Sequence, residues 1–370
     1  MKPATRSSKL SVSTPWVSCI LGAITLLSTG VNRAAADVFN MPGGQKSLDF
    51  VTVGNAGNLN DPRPAGDGTT GLGGVAYNYQ IGKFDVTASQ YSQFLNAVAA
   101  TDTFNLYNAA MANPASSGNT SVGAGIVRSG VSGSFTYSVV AGHENYPVNF
   151  VGWGDAARFC NWLQNGQPVG PQGAGTTETG AYTLNGATSA AALQAITRNT
   201  GATYAIPTES EWYKAAYYDP NKGGAGVPGY WMFASRSDTA PSNLLNPLGT
   251  NNANYFNGAY SDPVNYLTPV GVFASSPSVY GTYDQGGNLW QWNQAINTLP
   301  QGGIRGGAFF DSGAAPLYNY LQAVARYDGY PPTGDAYNIG FRVVALPEPG
   351  TVAILVMGAT GLLMRRRAAK

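Results

Sequence analysis

The sequence predicts a turn-rich domain in which short helices and strands are joined by long loops. Three observations predict it. Glycine occurs 48 times in 370 residues, and charged residues make up only 11%, against roughly 25% in an ordinary soluble domain. Apolar residues at 44% and aromatics at 12% are enough to fill a core and exclude wholesale disorder. Finally, the helical and strand-like patterns are brief and lie between stretches of Gly, Ser, Asn and Thr.

Residues 37–82 read as irregular or strand structure, with turns at Asn55–Asn58 and Gly66–Gly68. Val75–Phe84 has the β-branched and aromatic character of a strand. A helix then opens at Thr87, with Gln90 three residues on as a capping box. Tyr91, Phe94, Leu95 and Val98 follow on one face. Residues 101–147 read as long loops with a short strand at Phe135–Val140. A second helix is expected over Asp155–Leu163, with Ala156, Phe159, Cys160 and Leu163 inward; this makes Cys160 a small buried hydrophobe. Ala190–Arg198 suggests a short helix and Tyr204–Pro207 the end of a strand. Thr208 and Glu211 form another capping box, opening a helix through Tyr217, and loops are expected from there to Asp284.

The two ends read as addresses. Lys2, Arg6 and Lys9, then the apolar stretch Trp16–Leu27, then Ala34-Ala35-Ala36 give residues 1–36 the order of a secretory signal peptide. A retained N-terminal anchor is the alternative. At the other end, Pro347-Glu348-Pro349 precedes a 14-residue run, Thr351–Met364, and the cluster Arg365-Arg366-Arg367. That run is shorter than the roughly 18 residues of a spanning helix, and the arginines favour the cytoplasmic side. The order resembles a PEP-CTERM sorting signal. The resemblance implies export, signal-peptidase and exosortase-type processing, and display at the cell surface or in extracellular polymer. A plain membrane anchor is the alternative for residues 347–370.

Counting residues excludes several chemistries. Setting aside the eight basic residues of the two ends and Glu348, residues 37–346 hold 12 basic and 18 acidic side chains, net −6; no basic nucleic-acid footprint is present. Cys160 is the only cysteine outside the leader, which holds Cys19, so no internal disulfide is expected. His143 is the only histidine and reads as a surface or turn residue. Catalytic triads that use histidine, His-rich zinc sites and three-His iron sites are largely excluded on this count.

Six separated segments fit one family. They are Ile81-Gly82-Lys83-Phe84-Asp85-Val86-Thr87, Pro147-Val148-Asn149-Phe150-Val151-Gly152-Trp153, Ile206-Pro207-Thr208-Glu209-Ser210-Glu211-Trp212, Tyr283-Asp284-Gln285-Gly286-Gly287-Asn288-Leu289-Trp290-Gln291-Trp292, Ile304-Arg305-Gly306-Gly307 and Gly340-Phe341-Arg342-Val343. Their order and spacing over residues 45–345 resemble the formylglycine-generating enzyme (sulfatase-modifying factor) family. The resemblance implies a single α+β domain, over residues 37–346, with a variant of the C-type-lectin-like fold. The glycines suit tight turns and the tryptophans suit burial. Arg305 and Arg342 are candidate charge-paired struts, with Glu209 or Glu211 as partners. Glu209 and Glu211 could instead act as an acid–base pair, although Glu211 already caps a helix.

The family's enzymes bind copper through two cysteines beyond the Arg-Gly-Gly motif. The matching positions here are Asp311 and one of Pro316–Tyr318, and no cysteine follows Cys160. A hard carboxylate does not replace a soft thiolate pair for copper(I), so no copper is expected. The family's structural calcium sites would map, first, to Asn254, the carbonyl of Tyr255, Asp262 and the carbonyl of Val264. The second would map to Asp284, the carbonyls of Gly287 and Leu289, and Gln291, where an amide in place of the usual glutamate weakens the site. Asp262 and Asp284 could instead simply brace turns. The expected function is a non-catalytic binding or structural protein whose loops Tyr217–Tyr230 and Asn251–Tyr260 meet a glycan, an extracellular polymer or a protein. The rival is an oxidoreductase or other enzyme working through other residues.

Overall fold

The computed structural model describes Met1 and residues 47–114, 122–295, 302–311 and 320–347. The expected leader and its cleavage site, the second cysteine-matching position at Pro316–Tyr318, and the tail from Glu348 onward lie outside the described residues. In chain order the elements are β1 (Phe50–Val53), β2 (Tyr79–Gly82), α1 (Ala88–Val98), β3 (Ile126–Ser129), β4 (Thr136–Val139), α2 (Trp153–Gln164), α3 (Ala190–Gln194), β5 (Tyr204–Ala205), α4 (Glu209–Tyr217), β6 (Tyr218–Asp219), β7 (Gly229–Tyr230), β8 (Trp290–Trp292), β9 (Gly302–Arg305), β10 (Tyr327–Tyr330), β11 (Ile339–Gly340) and β12 (Val344–Ala345). Among the described residues, no helix is long and apolar enough to cross a membrane.

The two capping boxes open α1 and α4 as expected. Thr87 Oγ1 accepts from the Gln90 N–H and the Gln90 amide oxygen accepts from the Thr87 N–H; Thr208 and Glu211 repeat the exchange. The other bounds shift for identifiable reasons. α2 starts two residues before Asp155, because the Asp155 carboxylate reaches back to the Gly152 N–H at 2.9 Å and so stands in the first turn. α3 stops at Gln194, because Arg198 turns inward to Glu211 instead of extending the helix. Of Val75–Phe84 only Tyr79–Gly82 pairs as a strand. The Phe135–Val140 strand is β4, and its partner β3 was not foreseen. The stretch expected as loop after Tyr217 contains the small β6–β7 hairpin.

Two four-stranded sheets organise the body, in the orders β1-β2-β12-β5 and β10-β9-β8-β11. In the first, β12 pairs antiparallel with both β2 and β5, so the last strand completes a sheet begun by the first. In the second, β11 runs parallel to β8 and sets Ile339 against Trp290.

The main core lies where α1 and α2 meet β11–β12. Phe94 and Phe159 pack edge to face with centroids 5.3 Å apart, and Phe159 meets Phe341 in the same way at 5.3 Å. Tyr91 and Trp162 extend the cluster. Each such pair adds about 0.5–1.5 kcal/mol to the burial of its rings. Cys160 sits in this core, fully buried, and burial pushes its thiol far above the ordinary range.

Candidate functional site

The motif segments meet around α4, β8 and β9, where buried charge is held in three separate networks. Arg305 Nε donates to Glu209 at 2.8 Å, and Arg326 Nε donates to the same oxygen at 2.8 Å. Arg305 also donates to the Ala323 and Ala325 carbonyls and lies over the Tyr213 ring, 5.0 Å from its centroid. The expected Arg305–Glu209 strut is therefore present. Glu211 does not pair with either expected arginine; Arg198 grips it through two N–H groups at 3.0 and 2.9 Å, while Tyr77 donates at 2.5 Å. Burial works to raise the Glu211 carboxyl, but Arg198, Tyr77 and the Thr208 N–H together hold it below the ordinary range.

Arg342 likewise departs from expectation: its ion-pair partner is Asp85, at 3.1 Å. Its guanidinium also donates to the Gln291 amide oxygen, the Gly82 carbonyl and the Tyr283 carbonyl. Burial pushes the Asp85 carboxyl up, against the pull of Arg342. With the acceptors of Glu211 taken and Glu209 bridging two arginines, these glutamates hold the fold together. Asp85 lies within the Ile81–Thr87 motif, but Arg198 and Arg326 lie in none of the six. Their partners are set by tertiary geometry, and no spacing rule would have found them.

The segment 284–291 is a tight loop. Asp284, at φ 58°, accepts from the Gly271 N–H at 2.7 Å, and burial pushes its carboxyl up to about 6. Gly287 has φ 83°, and a Cβ there would collide with the Asn254 carbonyl. Asn288 ties the loop down: its amide oxygen accepts from Asn254 Nδ2 and the Thr268 N–H, and its NH2 donates to the Thr268 carbonyl.

A family model described as a sulfatase-modifying factor enzyme 1-like domain matches residues 37–346. The chain belongs to this family. Its fold is thus the α+β, formylglycine-generating-enzyme type variant of the C-type-lectin-like fold. Among curated proteins the chain is similar to a formylglycine-generating enzyme of Thermomonospora curvata, 24% identical over 234 residues, and the match covers 57% of this chain and 59% of that relative's length. Among solved structures it is similar to CarF (TM-score 0.46, 19% identity, 81% of this chain and 99% of that one). It is also similar to Treponema denticola variable protein 1 (0.48, 19%, 83% and 98%) and to PvdO from Pseudomonas aeruginosa (0.42, 17%, 84% and 100%).

Asp311, which the resemblance in sequence would match to the first of the family's two cysteines, is buried, and its carboxylate accepts from the Ala308 N–H at 2.7 Å. Burial pushes this carboxyl up to about 6. A hard oxygen occupied in bracing its own turn does not fit copper(I).

The expected calcium residues fall into two groups. At the first site, Asn254 is buried, and its amide oxygen has no hydrogen-bond partner among the described residues, as an oxygen reserved for a cation would be. Asp262 caps its own turn, accepting from the Val264 and Asn265 N–H groups at 2.9 Å each. The Tyr255 carbonyl accepts from Asn243 at 3.3 Å, and the Val264 side chain is exposed. At the second, the Gln291 amide oxygen accepts from Trp212 Nε1 and Arg342 Nε, both at 2.6 Å, and its NH2 donates to the Asp284 carbonyl at 2.7 Å. That amide is fully engaged, leaving Asp284 and the carbonyls of Gly287 and Leu289 as the oxygens a cation could use.

Proposed function

We propose that this chain is an exported, non-catalytic binding protein built on the sulfatase-modifying factor scaffold. In this reading its ends are a signal peptide and a PEP-CTERM sorting tail, and signal peptidase and an exosortase-type enzyme process them. The mature protein is displayed at the cell surface or in extracellular polymer, where its loops hold a glycan, polymer or protein. Calcium braces the loop around Asn254 and Asp262 as a structural ion.

The observation that carries the reading is Asp311. Where the family's enzymes need a thiolate, this chain has a carboxylate tied to the Ala308 N–H. No cysteine follows Cys160 in the sequence, and Cys160 is itself buried in the aromatic core. Purified protein with copper and reductant should not convert cysteine to formylglycine in a sulfatase-type peptide. Mass-spectrometric detection of that product above a no-protein control would overturn the reading.

A further inference from the structure

Beside the β6–β7 hairpin lies an open surface groove of about 490 Å3. Its aromatic element is Trp231. The indole N–H donates to Asp219 at 3.0 Å, and the Lys222 ammonium sits 4.8 Å from the ring centroid, so the ring is fixed in place. Lys222 is itself held by Asp238 at 2.8 Å.

Arg236 lines the same groove and is exposed. Its backbone adopts φ 59°, the left-handed region that disfavours any side chain except Gly, Asn or Asp. Among the described residues this guanidinium has neither an ion-pair nor a hydrogen-bond partner. The loop that carries it is rigidly built. The Phe233 N–H donates to the Ser237 carbonyl at 2.9 Å, and Asn251 joins Ser235 to Ser237 through its amide. A strained, unpaired cation on a braced loop beside a pinned indole has the form of a site held ready for an anionic group.

We infer that this groove binds an acidic saccharide: a sugar ring against Trp231, its carboxylate or sulfate on the Arg236 fork, and its hydroxyls on Asp219. The planar guanidinium matches either oxyanion in a two-point hydrogen bond. The Asp219 oxygens, each with one N–H donor at present, retain lone pairs for hydroxyl donors. This inference rests on the binding reading above and gives it a site and a ligand class.

The test is equilibrium binding of the full chain to an oligogalacturonate, to dextran sulfate and to neutral dextran. The chain should bind at least one of the two acidic probes, and which one it prefers identifies carboxylate or sulfate as the recognised group. Neutral dextran should not bind. Trp231→Ala and Arg236→Gly should each weaken binding at least tenfold. Arg236→Gly also relieves the left-handed backbone, so its unfolding temperature should equal or exceed that of the parent while binding is lost; this holds the test together even if Trp231→Ala misfolds. Failure of both acidic probes, or binding that survives Arg236→Gly, would overturn the inference. Binding of neutral dextran alone would overturn the acidic-saccharide assignment and still leave a binding protein. The formylglycine assay decides the non-catalytic reading separately.

Discussion

The region around α1 and α2 and the region from Asn251 to Asn288 solve the same problem by different means. In the first, Tyr91, Phe94, Phe159, Trp162 and Phe341 interlock their rings. In the second there is scarcely any regular structure. Asn252, Asn254, Thr268, Thr282, Gln285 and Asn288 are all buried, and a polar lattice holds the backbone. One region is held by area removed from water, the other by satisfying donors and acceptors that would be costly to bury alone. Within one chain, therefore, one stretch depends on filled volume and the other on its hydrogen-bonding pattern.

The sharpest way to break the contrast is Phe159→Ala, which empties the centre of the aromatic cluster. It should cost about 3–5 kcal/mol in chemical denaturation; a loss below 1 kcal/mol would mean the rings do not carry that region.

Next is a dependence on pH in the turn at Asp311. Its folded carboxyl is raised to about 6, against 3.8 ordinarily. Its contribution to stability is thus complete below pH 4 and is lost as pH rises through about 6. Each shifted unit is worth about 1.4 kcal/mol, so the loss approaches about 3 kcal/mol. Asp311→Asn keeps an acceptor for the Ala308 N–H and should flatten that part of the stability–pH curve. An identical curve for the variant would remove Asp311 as the cause.

Calcium sharpens the polar side of the comparison. At a hundred times its dissociation constant it should stabilise the fold by about 2.7 kcal/mol, and Asp262→Ala should remove most of the gain. A melting temperature indifferent to both calcium and chelator would dispose of the ion. Smallest is Thr87→Ala, which removes one half of a capping box and should cost about 1 kcal/mol, read as a shifted denaturation midpoint with unchanged slope.

The difference between the regions also explains what could be read in the sequence. Thr87, Gln90, Tyr91, Phe94 and Val98 announce a helix because cap and periodicity are local, and the structure has that helix. Thr208 and Glu211 do the same for α4. The buried ion pairs were only half legible. Arg305 found Glu209 as expected, but Arg342 found Asp85 and Glu211 found Arg198. Charge type shows in the sequence, whereas the choice between partners is made by distant backbone. The groove of Trp231 and Arg236 was legible only in part. Asp219 and Asn251 fall in the two loops expected to meet a ligand, but Trp231 and Arg236 lie between them in a stretch read only as loop, and the left-handed backbone of Arg236 contradicts its local preference.

The place of β12 has a consequence for how the molecule is made. Val344 and Ala345 lie between β2 and β5, and the first sheet is incomplete without them. A ribosome that has delivered everything up to α4 has delivered the β1–β2 pair and β5, with no strand between them. Pairing between ends so far apart in the chain is slow to form. Closure must therefore wait until Val344 and Ala345 have been made, and a nascent chain truncated before Val344 should leave Ile81 and Ala205 without a strand between them.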